Sequence, residues 1–433
     1  MSIDTRYQGW PHEWTRIPLA AAAVDGRENF IDGDWIEAPY ITDHGIRLIQ
    51  TGNIGIGVLL DKPETRKYIS PKSFNELRCK WVHPGDILIC RLAEPIGRSC
   101  KVPQNIGDCV TSVDVTIFRP DPKRLDCNYA IHLLNSESHL KKLLDVAGGS
   151  TRQRISRGNL ARLEICIPSV NEQRRIAKIL DTLDNTIQKT ELLIAKLKQI
   201  KQGLLHDLLT RGIDENGQLR DPIAHPEQFK DSQLGRIPGS WDVVPIGAIG
   251  DVVTGSTPPS SAPDAWGELS PFVTPGEISE GSIARSERGL SKKGLAFVRM
   301  IPAGATLVVC IGSTLGKTAQ ASEECTTNQQ INAVIPSDTF DASYVYHAIS
   351  AHIYQLFRIA GLQAIPIVNK SQFSKILVPL APPVEQVRIA QMVRSQDARL
   401  RAENKYLAKL NRLKKGLMHD LITGKVRVTS IGG

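Results

Sequence analysis

The sequence predicts an α+β protein written twice along one chain: a mixed α/β segment, a long helix, a second mixed segment and a second long helix. Three observations predict it. Two motifs recur at a single offset. The stretches that carry them keep a heptad of apolar residues. The segments between them hold short strand-like runs among glycines and prolines. Glu172-Gln-Arg-Arg-Ile-Ala177 returns as Glu385-Gln-Val-Arg-Ile-Ala390, and His206-Asp-Leu-Leu-Thr210 returns as His419-Asp-Leu-Ile-Thr423, both 213 residues on. Ala195-Lys-Leu197 with Ala408-Lys-Leu410, and Gly203-Leu204 with Gly416-Leu417, keep the same offset. A repeat of nearly half of 433 residues is a tandem duplication.

The predicted elements follow in order. Residues 1–170 form the first globular segment, with strand-like Asp86–Cys90 and Val113–Phe118 and a helical run at Asn128–Leu144. Residues 171–213 form the first long helix. Its seam is Ile176, Leu180, Leu183, Ile187, Ile194, Leu197, Leu204 and Leu208, in steps of three and four. Residues 214–383 form the second globular segment, with Phe272-Val-Thr, Thr306–Cys310 and Gln329–Ile335 as strands and Tyr344–Phe357 as a helix. Residues 384–433 hold the second long helix and a tail. Its seam is Ile389, Val393, Leu400, Leu407, Leu410, Leu417 and Leu421. Both seams are interrupted by polar residues, Lys201 and Lys414 at equivalent positions, Thr190 and Glu403 likewise. Matching seams with matching breaks predict that the two helices bury their apolar edges against each other rather than separately. The globular segments resemble each other weakly: Trp14 echoes Trp241, Gly85 echoes Gly304, and Ile155–Ile167 echoes Val368–Leu380.

Composition bounds the function. A chain that is 41% hydrophobic and 23% charged buries real cores, and its net charge of +8 favours a polyanionic partner. The eight cysteines have neither C-x-x-C nor zinc spacing, so no metal site is expected, and they read as reduced core residues of a cytoplasmic protein. The opening residues Met1–Arg6 have no signal-peptide core, and no apolar run is long enough to span a membrane.

Ile311-Gly-Ser-Thr-Leu-Gly-Lys-Thr318 nearly matches a phosphate-cradling loop, but Gly312 and Gly316 enclose three residues where that loop needs four. The residues after it show no helical period, so the stretch predicts a hairpin tip. Aligned on Gly85 and Gly304, Gly97-Arg98-Ser99 falls on Gly316-Lys317-Thr318 and Ala93 falls on Gly312. A glycine, a cation and a hydroxyl at a tip suit a DNA phosphate. There is no N-P-P-[YF] or D-P-P-Y motif for methylating a flipped base, so no catalytic residue is expected. His206-Asp207 and His419-Asp420 read as packing, capping or docking residues.

The order of segments, the E-Q-x-R-I-A opening and the G-L-[LM]-H-D-L-[LI]-T closing of each helix resemble the specificity subunits of type I restriction-modification systems. So do Phe272-Val-Thr-Pro-Gly-Glu-Ile278 and Asn328-Gln-Gln-Ile-Asn332 in the second segment. The first segment lacks the Asn-Gln motif. The resemblance implies two target-recognition domains, each reading half of a split DNA site. It also implies two antiparallel coiled-coil helices that set the gap, with pseudo-twofold symmetry. It further implies a non-catalytic chain that binds no cofactor itself. Two methyltransferase subunits would use S-adenosylmethionine on adenine, and up to two motor-nuclease subunits would use ATP with Mg. A fused methyltransferase-nuclease partner, or a coiled-coil adaptor without DNA, are the competing expectations.

Candidate DNA-contacting residues in the first segment are Arg66, Lys67, Arg91, Arg98, Lys101 and the cluster Arg152, Gln153, Arg154 after Gly148-Gly149. In the second they are Ser256, Thr257, Lys292, Lys293, Ser313, Thr314, Lys317, Asn328, Gln329 and Gln330. Arginine reaches guanine bidentately, glutamine and asparagine reach adenine, and lysine neutralises phosphate.

Overall fold

The computed structural model describes residues 10–148, 153–361 and 365–428; Arg152 and Gly149 of the basic loop lie outside them. The chain divides into two compact units. Unit 1 takes residues up to 192 and from 405 onward, and unit 2 takes residues 193–404. Each unit therefore owns one globular segment and part of both long helices.

In unit 1 the strands are β1 (Thr15–Pro18), β2 (Phe30–Asp32), β3 (Ile41–Thr42), β4 (Ile46–Ile49), β5 (Lys67–Ile69), β6 (Ile87–Cys90), β7 (Ser99–Lys101), β8 (Cys109–Thr111), β9 (Val115–Phe118) and β10 (Glu164–Ile167). The helices are α1 (Pro71–Glu76), α2 (Cys127–Leu134), α3 (Glu137–Val146), α4 (Arg157–Arg162) and the start of the long α5 (Val170–Thr210). An antiparallel sheet runs β2-β9-β6-β7, a second sheet runs β3-β5-β4-β8 with β4 and β8 parallel, and β1 pairs with β10. Strand β6 is buried along its whole length, because alternate side chains serve two cores. Ile87 and Ile89 pack with Tyr129, Leu133, Ile176, Leu180 and Leu421, while Leu88 and Cys90 pack with Ile49, Val82 and Ile117.

Unit 2 repeats the plan. Its strands are β11 (Phe229–Ser232), β12 (Gly235–Pro238), β13 (Asp242–Pro245), β14 (Gly250–Thr254), β15 (Trp266–Val273), β16 (Ser282–Ile283), β17 (Gly289–Leu290), β18 (Thr306–Val309), β19 (Thr318–Ala321), β20 (Thr326–Thr327), β21 (Ile331–Pro336) and β22 (Leu377–Leu380). Its helices are α6 (Ala342–His352), α7 (Tyr354–Ala360), α8 (Lys370–Ser374) and much of the long α9 (Pro383–Ile422). The order β14-β21-β18-β19 reproduces β2-β9-β6-β7, β15 and β20 run parallel as β4 and β8 do, and β13 pairs with β22 as β1 does with β10. The echoes of Trp14 in Trp241 and of Ile155–Ile167 in Val368–Leu380 thus have a structural basis: each tryptophan is buried just before the strand that pairs with the end of its segment.

Two expectations need correction. The helical runs at Asn128–Leu144 and Tyr344–Phe357 are each broken in two. Asn135 and Ser136 stop the first: Ser136 caps α3 by accepting from His139 N, and the Asn135 side chain accepts from Ser99 N at 3.0 Å. The second breaks at Ile353, between α6 and α7.

The long helices meet antiparallel within each unit. In unit 1, Leu183 and Ile187 of α5 pack on Leu407, Leu410 and Leu417 of α9, and Ile176 and Leu180 share a core with Leu421. In unit 2, Leu204 and Leu208 pack with Ile389 and Val393. Ile194 and Leu197 are buried, and Leu400 is half-buried. The polar breaks have partners: Lys414 Nζ lies 2.5 Å from Asp184 Oδ1, and Lys201 Nζ lies 2.6 Å from Asp397 Oδ1. Lys201 and Lys414 are repeat equivalents, and so are Asp184 and Asp397. A polar pair at a seam position is a device that fixes register.

The Glu-Gln that opens each helix is a socket. Glu172 accepts from Arg427 Nε at 2.8 Å and Nη2 at 2.9 Å, and from Val428 N. Glu385 accepts from Arg220 Nη1 at 2.6 Å, from Ile213 N and from Trp241 Nε1. In both cases the arginine follows the end of the other long helix. The adjoining glutamines face inward. Gln173 accepts from Asp126 N, the α2 cap, and donates to Pro168 O; Gln386 accepts from Asp341 N, the α6 cap, and donates to Ala381 O.

Candidate nucleic-acid interface

In each unit the same loops converge at one end of the main sheet, and their backbone hydrogen bonds correspond one to one. The hairpin β6–β7 closes with Cys90 N to Arg98 O (2.9 Å) and Gly97 N to Cys90 O (2.8 Å); β18–β19 closes with Val309 N to Lys317 O (2.9 Å) and Gly316 N to Val309 O (2.9 Å). The near-phosphate loop is therefore a hairpin tip leading into a strand, as the sequence predicts. Gly97 and Gly316 have φ of 83° and 85°. A Cβ on either would strike a helix, at Leu143 or Phe357. Glycine is required there by conformation and by close packing alike.

The other loops match as well. Arg91 N donates to Asp114 O, and Cys310 N to Gln330 O, both at 2.8 Å. Ile155 N donates to Arg91 O and Val368 N to Cys310 O; Ala93 N donates to Gln153 O and Gly312 N to Pro366 O. Asp34 N reaches Thr111 O, and Ser256 N reaches Thr327 O. Through this register the Asn328-Gln329-Gln330 run finds its counterpart in Ser112-Val113-Asp114, which share no residue type with it. Trp35, exposed over 69% of its surface, is the counterpart of Thr257.

The structure divides the candidate residues. Arg91 is buried: it donates to Ile155 O at 3.0 Å and to Val113 O, and lies 3.1 Å from Asp32. Burial pushes its pKa down. Arg98 gathers four carbonyls, Ile54 O, Thr51 O, Leu92 O and Pro95 O, at 2.8–3.1 Å. Both arginines hold loops together, which corrects their assignment as outward cations. The hydroxyl after each cation also turns inward: Ser99 is bonded by Asn135, and Thr318 by Ser350. Only Lys317 keeps the exposed cation of that motif.

Arg154 is half-exposed and pairs with Asp114 at 2.6 Å; Gln153 is exposed. Lys67 lines a cleft with Gln50, Asn53, Lys62, Ser112 and Asp114, the aspartate that Arg154 pairs with. Gln50, Asn53 and Lys62 were missed from sequence. The signal was Leu48-Ile-Gln-Thr-Gly-Asn-Ile54, which parallels Phe272-Val-Thr-Pro-Gly-Glu-Ile278. In both, the fourth side chain of the turn accepts from the first N–H: Asn53 from Gln50 N, Glu277 from Thr274 N. Arg66 pairs with exposed Asp61, which raises its pKa. Lys101 stands apart, donating to Asn128 on α2 at 3.2 Å.

In unit 2, Thr257 Oγ1 donates to Gln329 Oε1 at 2.7 Å, and Asn328 Nδ2 donates to Gln330 Oε1 at 3.0 Å. Ser256 adjoins them and reaches Phe297 O at 3.4 Å, in the segment that carries Lys292 and Lys293. Lys293 pairs with Asp264 at 2.7 Å. Ser313 is exposed and Thr314 half-buried on the hairpin tip. Among the described residues no cluster of metal-ligating side chains occurs, and all eight cysteines are free thiols; burial pushes Cys100 up to about 12. No helix among the described residues is long and apolar enough to cross a membrane.

Comparison with known proteins places this geometry. The model of the type I restriction modification DNA specificity domain matches twice, at residues 48–199 and 238–412. A putative type I restriction enzyme specificity subunit, MjaX, of Methanocaldococcus jannaschii is 25% identical over 350 residues, covering 79% of each chain. The HindI specificity subunit of Haemophilus influenzae is 24% identical, covering 72% of this chain and 80% of its own. The crystal structure of a type I S subunit from M. genitalium shares the fold, with a TM-score of 0.56 at 17% identity, over 96% of both chains. A chain from a type I restriction-modification assembly gives a TM-score of 0.57 at 16% identity, over 96% of this chain and 99% of that one. With the domain matched in both units and over well more than half of its length, this chain belongs to the type I restriction-modification DNA specificity family.

Proposed function

We propose that each unit reads one half of a bipartite duplex site, with a fixed gap between the halves, as the specificity subunit of a type I restriction-modification complex. The reading carries no chemistry of its own. Adenine methylation belongs to two methyltransferase subunits that bring S-adenosylmethionine, and cleavage to motor-nuclease subunits that use ATP with Mg. The single observation that carries the proposal is the duplicated loop face. The same loop face is dressed twice with exposed or half-exposed side chains able to meet DNA, Arg154 and Lys67 in one copy and Gln329 and Lys317 in the other. The backbone bonds and the tip glycines Gly97 and Gly316 are kept between the copies, whereas the side chains on the loops differ, as expected when two readers share a frame and not a target.

The test is adenine-methylation sequencing of a host expressing this chain with a methyltransferase subunit that assembles with it. The expected result is a two-block motif with a constant gap. A continuous motif would mean that only one unit reads bases, and no new methylation from an assembled complex would defeat the proposal.

A further inference from the structure

Four positions on the two loop faces correspond through the backbone register and differ in kind. In unit 1 they form a row of alternating charge. Arg91 Nη2 lies 3.1 Å from Asp32 Oδ2 and 4.0 Å from Asp114 Oδ1, and Arg154 Nη2 lies 2.6 Å from the same Asp114 oxygen. The row runs outward from Arg91, 3% exposed, to half-exposed Arg154. In unit 2 the same positions hold Thr254, Cys310, Gln330 and Ile367, and none is ionic. The flanking bonds confirm the match. Thr116 donates to Asp32 at 2.8 Å where Thr254 donates to Asn332 at 2.7 Å, and the bridge Leu92–Arg154 matches Ile311–Ile367.

An ionic row with one buried end draws its outer guanidinium to Asp114 by charge before any ligand arrives. Arg154 is also held by its backbone, bonded both ways to Gly148. The planar fork of Arg154, its backbone anchored and its charge held beside Asp114, fits the two acceptors on the major-groove edge of guanine, and an adjacent carboxylate accepts from cytosine N4. Unit 2 offers instead an exposed amide oriented by Thr257. Its donor nitrogen and remaining oxygen lone pair fit adenine N7 and N6. We infer that the two half-sites differ in kind: unit 1 reads a G·C pair through Arg154 set by Asp114, and unit 2 reads an A·T pair through Gln329.

This inference rests on the bipartite reading above. The test enriches randomised duplexes on the full chain assembled with its methyltransferase subunits and sequences the bound pool. Wild type is compared with Arg154→Lys, Arg154→Gln and Gln329→Ala, after melting curves show that each variant is folded. Arg154→Lys keeps the charge and loses the fork, so it should lower preference for one G·C pair in one block about tenfold or more, leaving the other block and the gap intact. Gln329→Ala should do the same at an A·T pair of the other block. Two blocks in the wild type with unchanged preferences in the variants would overturn the inference and leave the bipartite reading standing. So would a uniform loss on every duplex, which marks a phosphate contact. A wild-type pool without two blocks would remove the reading and the inference with it.

Discussion

Arg98 and Lys317 occupy one position of the repeat and do opposite work. Arg98 gathers four loop carbonyls; Thr51 O and Pro95 O also accept from the backbone and Leu92 O from the Cys90 thiol, whereas Ile54 O relies on the guanidinium. Replacing it with alanine should cost about 1–3 kcal/mol, the cost of one stranded acceptor at Ile54 O with three weakened ones beside it. A fall in melting temperature together with loss of base preference in one block only would be the signature. Lys317→Ala should leave melting unchanged and lower DNA affinity on all sequences, reducing the slope of log K against log salt by about 0.9. An unchanged slope would show that Lys317 touches no phosphate. The sequence displayed both residues alike, as a cation after a glycine. What separated them was the set of carbonyls around Arg98, contributed by loops as distant as Thr51, which no local pattern reveals. Arg91 escaped for the same reason: its neutralising Asp32 lies on a different strand.

The long helices were legible almost whole. Their seam, their polar breaks and their near-forty-residue length follow from periodicity, because a heptad edge survives only where it is buried. Their partners were not legible. The Lys414–Asp184 pair joins residues far apart in the chain, and Glu172 meets Arg427 across the end of the first repeat and the whole of the second. Leu410→Asp puts a carboxylate against Leu183 and Ile187 at a site only 6% exposed. It should destabilise unit 1 by several kcal/mol, on the order of the 3–5 typical of a buried unpaired charge, measurable by denaturant melting. The Glu172 socket predicts acid sensitivity. The hydrogen bond from Arg427 holds the carboxyl below its ordinary value, so its stabilisation is complete above the unfolded carboxylate pKa and disappears as pH falls through the lowered folded one. Glu172→Gln should be less stable than wild type at pH 7 and converge on it in acid. A constant difference down to pH 2 would show that the socket is not electrostatic.

At the scale of the molecule, a net charge of +8 on a duplicated frame predicts binding to any duplex at low salt, with sequence preference emerging as salt rises. The duplication itself was plain in the sequence because the helix motifs kept their residue types. The correspondence of the two loop faces was not, because Ser112-Val113-Asp114 and Asn328-Gln329-Gln330 share a hydrogen-bond register and no side chain. A frame that conserves backbone bonds while exchanging outward residues hides its symmetry from any reading by residue type.

The carbonyl cage of Arg98 has a further consequence, which concerns time. A hairpin already tied by Arg98 to its neighbouring loops has little ordering left to do in an encounter, whereas Lys317 must give up to about 2 kcal/mol of rotamer freedom when it settles on a phosphate. The hairpin of unit 1 is thus set before contact and that of unit 2 sets upon contact. Contacts of the first kind should form at first touch, and those of the second should tighten later, so a duplex carrying a single half-site should leave unit 2 faster than unit 1.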